Sequence, residues 1–155
     1  MQSKSKLVVQ VRDYRPEDFQ TLWRIDQECF AAGISYSCGE LARYIQNKRS
    51  FTLVGEVDGR TAGFIVAARE RKDVGHIITI DIGAEFRRSG LGSKLMAAAE
   101  ERLRTAGCTF LFLEMAVDNT TALAFYKRLG YSVINAIPRY YLDSVDALVL
   151  AKYLA

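Results

Sequence analysis

The stretch "TIDIGAEFRRSGLGSKLMAAAEERL", residues 79–103, joins an apolar strand to an amphipathic helix through two arginines and a Gly-x-Gly turn. The N-terminus of a helix presents unpaired backbone N–H groups and about half a positive charge, so anions bind there. Gly90 and Gly92 remove the Cβ atoms that would keep an anion away, and Arg87 and Arg88 add positive charge beside them. The stretch therefore predicts a phosphate cradle, whereas a lone Gly-x-Gly would indicate only a turn with solvated arginines.

Two common nucleotide-binding motifs fit this turn poorly. "GLGSK" lacks the Gly-Lys-Ser/Thr ending of a P-loop at the required spacing from an earlier glycine. A dinucleotide fingerprint would need a third small residue where Leu95 stands, and it would lie in the first strand–helix unit rather than in mid-chain. The residues alone leave the identity of the phosphate open.

Hydrophobic periodicity and turn signals predict the element order β, α, α, β, β, β, α, β, α, β, β. The predicted strands are residues 7–14, 51–57, 61–70, 76–82, 109–117, 131–137 and 147–154. The predicted helices run from Pro16 to near Gly33, from the Ser37–Glu40 capping box through Ile45, from Leu91 to Gly107, and from Asp118 or Asn119 to Gly130. The fifth strand is apolar enough to be buried on both faces.

The connections between these elements predict how the strands pair. The Asp58-Gly59 pair predicts a tight antiparallel hairpin. The strand–helix–strand crossover over residues 77–117 requires parallel pairing of the fourth and fifth strands. We therefore expect a mixed α/β (α+β) fold with four helices and a central, mostly antiparallel seven-stranded sheet.

Length, charge and cysteine content limit the class of protein. A chain of 155 residues, 50% of them hydrophobic, predicts one domain over residues 1–155. The net charge of +3, from 21 basic and 18 acidic residues, argues against a nucleic-acid surface but allows a local anion site. Cys29, Cys38 and Cys108 are expected in the core, without a disulfide framework or a metal site. Since no signal peptide or membrane-spanning segment is recognisable, we expect a soluble cytoplasmic protein without membrane contacts.

Two segments resemble the GNAT superfamily of N-acetyltransferases. "RRSGLG", residues 87–92, is similar to the R-x-x-G-x-G motif in which backbone amides and the helix dipole hold the pyrophosphate of acetyl-CoA. "DNTTALAFYKRLGY", residues 118–131, resembles the N-x-x-A-x-x-x-Y-x-x-x-G-[FY] segment of the same superfamily. The resemblance covers nearly the whole chain, because the predicted element order is also that of the superfamily. It implies a GNAT-like domain that uses acetyl-CoA as a cosubstrate.

The resemblance also implies two groups of site residues. Asn119 would contact the pantetheine arm, and Tyr126 would lie beside the acetyl sulfur and form the catalytic pair with Glu114. The implied cofactor-binding residues are Ile80, Ile82, Arg87, Arg88, Ser89, Gly90, Leu91, Gly92, Ser93, Asn119 and Tyr126. The implied acceptor-binding residues are Tyr36, Asp81, Glu114, Tyr140 and Tyr141.

Three segments resemble one branch of the superfamily, which acetylates protein N-termini and is typified by the ribosomal-protein-alanine N-acetyltransferase. These segments are "LEMAVDN", "FYKRLGY" and "RYYLDSVDALVLAKYL". The resemblance implies transfer to the N-terminal α-amine of a protein or peptide, with ribosomal proteins among the candidate acceptors. The segment "AAGISYS", residues 31–37, lacks the Pro-Trp or Pro-Tyr that this branch often carries before the serine. That loop borders the acceptor site in the family, so the difference bears on the acceptor more than on the chemistry.

The residue types suit acyl transfer from a thioester to an amine. An α-amine has a pKa of about 8, against about 10.4 for a lysine, so a modest base is sufficient. Glu114 interrupts the apolar run "FLFLEM" and either pairs with a basic residue or acts as a general base. Tyr126, with an ordinary pKa of about 10, can protonate a departing thiolate. A backbone N–H near Ile82 would polarise the carbonyl if the fourth and fifth strands separate there.

Other polar residues give less specific signals. Asp81 is a candidate to attract an ammonium group, to act as a second base, or to be a paired strand-end carboxylate. His76, the only histidine, is expected at the surface. Cys108 lies far from the Glu114 side of its strand and is not expected to be a nucleophile. A solvated hairpin tip is the simplest interpretation of Arg69, Arg71 and Lys72.

Several interpretations stay open at this point. The acceptor could be a lysine side chain or a small amine rather than a protein N-terminus. A noncatalytic acyl-CoA-binding regulatory module would keep the phosphate cradle without chemistry, and the presence of both Glu114 and Tyr126 favours the enzyme. Tyr140 and Tyr141 either grip a peptide backbone or pack at a sheet edge, and the protein is expected to be a monomer or a homodimer.

Overall fold

Seven strands form one mixed sheet in the computed structural model, which describes residues 6–30, 35–141 and 145–154. The strands are β1 Val9–Asp13, β2 Ser50–Val57, β3 Arg60–Arg71, β4 Val74–Ile82, β5 Phe110–Ala116, β6 Ser132–Tyr141 and β7 Val145–Tyr153. Their order is β1-β2-β3-β4-β5-β7-β6, and all neighbours are antiparallel except β4 and β5. This topology confirms the predicted mixed sheet with its parallel crossover.

Four α-helices lie in the described parts of the chain, as predicted: α1 Phe19–Cys29, α2 Cys38–Gln46, α3 Leu91–Thr105 and α4 Thr120–Arg128. A 3-10 turn at Pro16–Asp18 precedes α1, and the predicted helix end near Gly33 lies outside the described residues. α2 begins with the predicted capping box, in which the Glu40 N–H donates to Ser37 Oγ over 3.1 Å. None of the helices in the described ranges is long and apolar enough to cross a membrane.

Apolar side chains cover the sheet on both faces. On one face the core packs α3 against the strands, and Leu91, Leu95 and Leu103 are fully buried as the helical period predicts. On the other face α1 and α2 pack through Leu22 and Leu41. The sheet is therefore the middle layer of a three-layer structure.

Strand β5 is buried on only one of its faces, so the prediction for this strand is wrong. Leu111, Leu113 and Met115 belong to the α3-side core, whereas the alternating residues are half-buried. The physical reason is that the apolar cluster under α1 and α2 contains residues of β2 and β3 but none of β5. The uncovered face of β5 is the one that carries Glu114.

The parallel strands β4 and β5 pair only at their beginnings, through Val74–Phe110, Gly75–Leu111 and His76–Phe112. Beyond His76 the described residues of the two strands form no further pairs. A bulge in β4 accompanies the separation, because Val66 pairs with Thr79 while Ala67 pairs with Ile77, which leaves Ile78 unmatched. The strands therefore separate before Ile82, as the sequence analysis required for a carbonyl-polarising N–H.

Strand β6 extends past its predicted end at Ile137 to Tyr141. The ladder with β7 shifts register between Ile137 and Tyr141, and Arg139 there has a φ of 53°. Pro138 cannot donate a backbone hydrogen bond, so a bulge is the form in which the strand can continue past it. Tyr140 and Tyr141 therefore lie at the end of β6.

Gly63 allows β3 to approach the end of β4 closely. A Cβ at this position would lie 2.5 Å from the carbonyl oxygen of Asp81 and 3.2 Å from the Cα of Ile82, and backbone atoms cannot rotate away. We expect Gly63→Ala to lower the free energy of unfolding by about 1–3 kcal/mol, as overpacking does, in urea titrations.

Gly39 provides the matched control, since a Cβ there has no atom within 4 Å and lies in the first turn of α2. Gly39→Ala should be neutral or stabilising by up to about 1 kcal/mol. Equal stability of the two variants would contradict the close approach at Gly63.

Candidate functional site

The Gly-x-Gly turn forms an open helix N-terminus at the end of β4. Gly90 has a φ of +85° and precedes α3, and a Cβ on it would have no atom within 4 Å. The first backbone bond of the helix runs from the Lys94 N–H to the Gly90 carbonyl, 3.2 Å, so the N–H groups of Gly92 and Ser93 face the open end. Arg87 and Arg88 are exposed beside it. The predicted anion-binding geometry is therefore present, and Leu91 contributes only backbone because its side chain lies in the core.

The other predicted cofactor residues lie on the same side of the sheet as α3. Ile80 and Ile82 pack against the α3-side core, and a Cβ on Gly92 would lie 3.3 Å from the Phe125 ring of α4. Asn119 caps α4, because its Oδ1 accepts the Ala122 N–H over 3.1 Å, and this leaves the amide NH2 as an outward donor. The structure thus brings Ile80, Ile82 and Gly92 to the α3 side of the sheet, where Gly92 meets α4.

Tyr126 is buried on this same face, near the separated strands. Its ring packs edge-on against Phe125 and Tyr131 at 5.3 Å and 6.0 Å between centroids. Burial raises the pKa of the Tyr126 hydroxyl, and the charges of Asp81 and Tyr141 raise it further. The hydroxyl therefore stays protonated near neutral pH and remains a hydrogen-bond donor.

Glu114 and His76 form a hydrogen-bonded pair on the opposite face. His76 Nε2 lies 2.7 Å from Glu114 Oε2, and His76 Nδ1 lies 3.0 Å from Glu70 Oε1. The imidazole also stacks on Phe112 at 4.3 Å with an interplanar angle of 5°. The prediction of a surface position for His76 is wrong, since only 17% of its side chain is exposed.

The pairing register explains why sequence analysis missed His76. His76 pairs with Phe112 across the parallel ladder, so Glu114, two residues further on, points to the same face as the imidazole. The sequence did contain one indication of this contact: two strands predicted to pair in parallel carry a histidine at the start of one and a glutamate in the other. To predict the contact, one must also know which residues pair across the two strands, and hydrophobic periodicity does not give this register.

The pKa of His76 reflects two opposed effects. Burial lowers the pKa, but the hydrogen bond and charge of Glu114, followed by those of Glu70, outweigh burial and raise it above its ordinary value. A raised pKa keeps the imidazole protonated to higher pH. The pair therefore holds an imidazole and a carboxyl group in hydrogen-bond contact at a half-buried position.

Asp81 is buried more deeply than a residue in direct contact with an acceptor would be. It is 1% exposed, and its Oδ1 accepts the Thr79 hydroxyl over 2.6 Å. Burial raises the pKa of Asp81 well above its ordinary range, and the nearby buried carboxyl of Asp26 raises it further. Asp26 in turn accepts the Tyr36 N–H over 2.8 Å. Of the alternatives for Asp81, this geometry corresponds to the paired carboxyl, and contact with the acceptor stays a prediction.

Three of the predicted acceptor residues are tyrosines around Glu114. The Tyr36 hydroxyl donates to the Ile78 carbonyl over 3.4 Å, and Tyr140 and Tyr141 pack against each other at 4.8 Å. Burial, followed by the charge of Glu114, raises the pKa of Tyr140, and burial, Tyr140 and Glu114 raise the pKa of Tyr141. Tyr140 is 49% exposed, so this group presents both ring surface and hydroxyl groups to an acceptor.

The three cysteines are free and differ in environment. Cys108 is buried as predicted, but Cys38 is exposed at the start of α2, which corrects its assignment to the core. Cys29 is half-buried and its Sγ donates to the Ile82 carbonyl over 3.2 Å. Burial, followed by the charge of Asp81, raises the pKa of Cys29 to about 11, so the thiol is a poor nucleophile near neutral pH. The described residues contain no group of three or more His, Cys, Asp or Glu placed to hold a metal ion.

Comparison with known proteins gives the family. Residues 17–131 match the model of the acetyltransferase (GNAT) family. The chain belongs to this family. It is 26% identical over 153 residues to an N-alpha-acetyltransferase of Sulfurisphaera tokodaii, over 91% of this chain and 90% of that protein. This relative and the family match confirm the predicted superfamily.

Solved structures of the GNAT family share the fold. Ard1 from Thermoplasma volcanium superposes with a TM-score of 0.86 and 27% identity, over 95% of this chain and 98% of that one. The ribosomal-protein-S18-alanine N-acetyltransferase of Escherichia coli has a TM-score of 0.84 and 23% identity, over 96% and 95% of the two chains. The resemblance to the N-terminal acetyltransferase branch is confirmed by these neighbours together with the relative from Sulfurisphaera.

The single histidine makes the Glu114–His76 pair directly measurable. We expect the pKa of His76, followed by NMR of its ring proton, to lie above about 6.5 in the native protein. Its pairing should therefore stabilise the fold fully below pH of about 6.5, and this stabilisation should be lost as pH rises through the native pKa. Glu114→Gln should lower the pKa, because it removes the charged partner.

Glu85→Gln is the control, since Glu85 is exposed and pairs with Arg60 on another part of the surface. It should leave the His76 titration unchanged. A native pKa below the ordinary value, or one that does not respond to Glu114→Gln, would exclude the ion pair.

Proposed function

We propose that this GNAT-family chain, as one domain over residues 1–155, transfers an acetyl group from acetyl-CoA directly to the N-terminal α-amine of a protein or peptide. The observation that carries the proposal is the position of Glu114 with His76 on one face of the separated strands and of Tyr126 on the other. A base and an acid on opposite sides of one opening suit a reaction in which two ligands meet there.

The α3 face fits acetyl-CoA. The open N-terminus of α3 with Arg87 and Arg88 would hold the pyrophosphate, and the amide of Asn119 would contact the pantetheine arm. Unpaired backbone of β4 would align this arm, and the N–H of Ile82 would polarise the carbonyl. The thioester supplies an acetyl group activated for attack by an amine.

The acceptor face fits an amine. Glu114 removes the proton from the amine, directly or through water, and His76 orients the carboxylate through the 2.7 Å hydrogen bond. The amine nitrogen then bonds to the acetyl carbon as the carbon–sulfur bond breaks, and the nitrogen loses its second proton to solvent. Tyr126, which burial keeps protonated before the step, donates its proton to the departing sulfur and regains one from solvent. No side-chain nucleophile is required.

The choice of an α-amine rests on three lines of support. Its ordinary pKa near 8 matches a carboxylate base better than a lysine near 10.4 does. Tyr36, Tyr140 and Tyr141 offer a surface for a peptide backbone next to Glu114. The relative from Sulfurisphaera is named an N-alpha-acetyltransferase. Ribosomal proteins are candidate acceptors, and free cysteines are compatible with reaction in the cytoplasm.

A thiol-release assay with acetyl-CoA tests the proposal on short peptides with free or blocked N-termini, lysine-bearing peptides and polyamines. We expect turnover on free N-termini and none when the α-amine is blocked. Turnover that persists on blocked lysine peptides or on polyamines would establish the alternative acceptor. Tight binding of acetyl-CoA without turnover on any acceptor would support the noncatalytic module.

Two substitutions separate chemistry from cofactor binding. We expect Glu114→Gln and Tyr126→Phe each to lower kcat roughly ten- to ten-thousandfold, with little change in acetyl-CoA affinity by calorimetry. Tyr153→Phe, at a side chain that is 80% exposed, is the matched control and should retain full activity.

Gly90→Val should have the opposite effect. Its φ of +85° is unfavourable for a β-branched residue, so the turn must distort and acetyl-CoA affinity should fall before kcat does.

If Glu114→Gln and Tyr126→Phe both retained wild-type kcat, the assigned acid and base would be wrong.

A further inference from the structure

Six basic side chains line a groove of about 660 Å³, the basic groove, which lies between the last turns of α3 and the β3–β4 turn. Its basic residues are Lys48, Arg49, Arg69, Arg71, Lys72 and Arg102, and its one acidic residue is Glu70. They come from the α2–β2 connection, the end of β3, the β3–β4 turn and the last turns of α3. The interpretation of a solvated hairpin tip covered only three of them, because the fold gathers the others from distant positions.

Most of this positive charge is not neutralised by nearby carboxylates. Arg49 and Arg69 donate to the backbone carbonyls of Glu70 and Lys72, which orients both guanidinium groups without cancelling their charge. Arg102 pairs with Asp13 at 3.0 Å. Across the ranges that the structure describes, no carboxylate lies within ion-pair distance of Lys48, Arg71 or Lys72, and all three are exposed. The groove therefore keeps a positive potential.

The basic groove is continuous with the candidate active site. An adjoining cavity of about 720 Å³ shares Lys48, Arg49, Arg69 and Glu70 with it. This second cavity also reaches Tyr44, His76 and Ile78. Hydrogen bonds follow the same route, since Glu114 bonds to His76, His76 bonds to Glu70, and Arg49 donates to the Glu70 carbonyl over 3.2 Å. A chain whose amine lies at Glu114 can therefore extend into the basic groove.

We propose that the acceptor carries acidic side chains about three to six residues after its N-terminal amine, and that the basic groove binds them. This inference rests on the proposed function and specifies its substrate class. The site has carboxylates where an ammonium group would arrive, at Glu114 and Glu70, and cations further along the same channel. An extended peptide advances about 3.3 Å per residue. Arg71 pairs with Val74, which pairs with Phe110, and Glu114 lies four positions along β5 from Phe110. An extended peptide with its amine at Glu114 therefore reaches the level of Arg71 after about four residues, with Lys72 in the turn beyond. That separation corresponds to the stated positions.

The lining favours an acidic peptide over a single-stranded nucleic acid. Nucleic-acid grooves combine cations with exposed aromatic rings on which bases stack. The one aromatic residue of the basic groove is Phe51, and the Arg102 guanidinium lies over its ring at 4.9 Å. The groove also adjoins the cavity that reaches His76.

The test measures kcat/KM for peptides that share their first two residues and differ only at positions three to six, which are acidic, amide or lysine residues. At low ionic strength we expect the acidic peptide to exceed the amide peptide about five- to twentyfold, as several exposed ion pairs allow, and the lysine peptide to be poorest. The ratio of kcat/KM for the acidic peptide to that for the amide peptide should fall toward unity in about 0.5 M salt, because salt screens the ion pairs.

Charge reversal in the groove supplies the matched variants. The triple variant Lys48→Glu/Arg71→Glu/Lys72→Glu should abolish the preference for the acidic peptide and raise kcat/KM of the lysine peptide relative to the amide peptide. Lys6→Glu, which reverses an exposed charge before β1, should leave kcat/KM of the acidic and lysine peptides relative to the amide peptide unchanged. Turnover of the amide peptide shows that the triple variant is folded. If the triple variant does not fold, the single variant Lys72→Glu should show a smaller loss of the preference for the acidic peptide.

The outcomes are distinguishable. Turnover with equal kcat/KM for the acidic and amide peptides overturns this inference and leaves the proposed function intact. Absence of turnover on every free N-terminus overturns the proposed function and this inference with it. Equal kcat/KM together with salt-sensitive inhibition by an RNA oligonucleotide, lost in the triple variant, would assign the groove to nucleic acid and overturn the acidic acceptor.

Discussion

The separation of β4 from β5 after three residue pairs is the constraint on which the rest of the structure depends. Two parallel strands must be joined by a crossover, and here α3 is that crossover, so its N-terminus necessarily follows the free end of β4. The anion site and the unpaired strand edge are therefore adjacent by chain geometry. Backbone groups in the opening need partners when water is excluded. An extended ligand that carries amide groups supplies such partners. The gap between β4 and β5 therefore suits a cosubstrate of this kind.

The two faces of the sheet divide the chemistry. Strand β5 sends Leu113 and Met115 into the α3-side core, and its alternation necessarily sends Glu114 to the opposite face. Tyr126 belongs to the α3-side core, and the nearby Asp81 and Tyr141 contribute to its raised pKa. In the proposed mechanism, a proton is removed on one face of the sheet and delivered on the other without either group crossing the sheet. The half-buried face of β5, which hydrophobicity alone did not predict, is the face that carries Glu114.

Features that depend on local pattern could be predicted from the sequence. The element order, the parallel crossover and the glycine turn before α3 all follow from periodicity or from residues adjacent in the chain, and the structure has each of them. Features that depend on register could not be predicted. His76 meets Glu114 because of a specific parallel alignment, and the bulge at Pro138 and Arg139 carries Tyr140 further along β6 than propensity indicates. The basic groove likewise collects side chains from four segments, none of which is unusual alone.

The buried carboxyls of Asp26 and Asp81 connect the two halves of the site. Asp26 lies on α1 and holds the backbone of Tyr36, while Asp81 lies on β4 one residue before Ile82. Burial and the nearby carboxyl of Asp26 both raise the pKa of Asp81, which favours its neutral form in a place with little water. A neutral carboxyl has little charge with which to attract an ammonium group. Of the sequence interpretations of Asp81, the structure therefore favours the buried carboxyl that is held by the Thr79 hydroxyl.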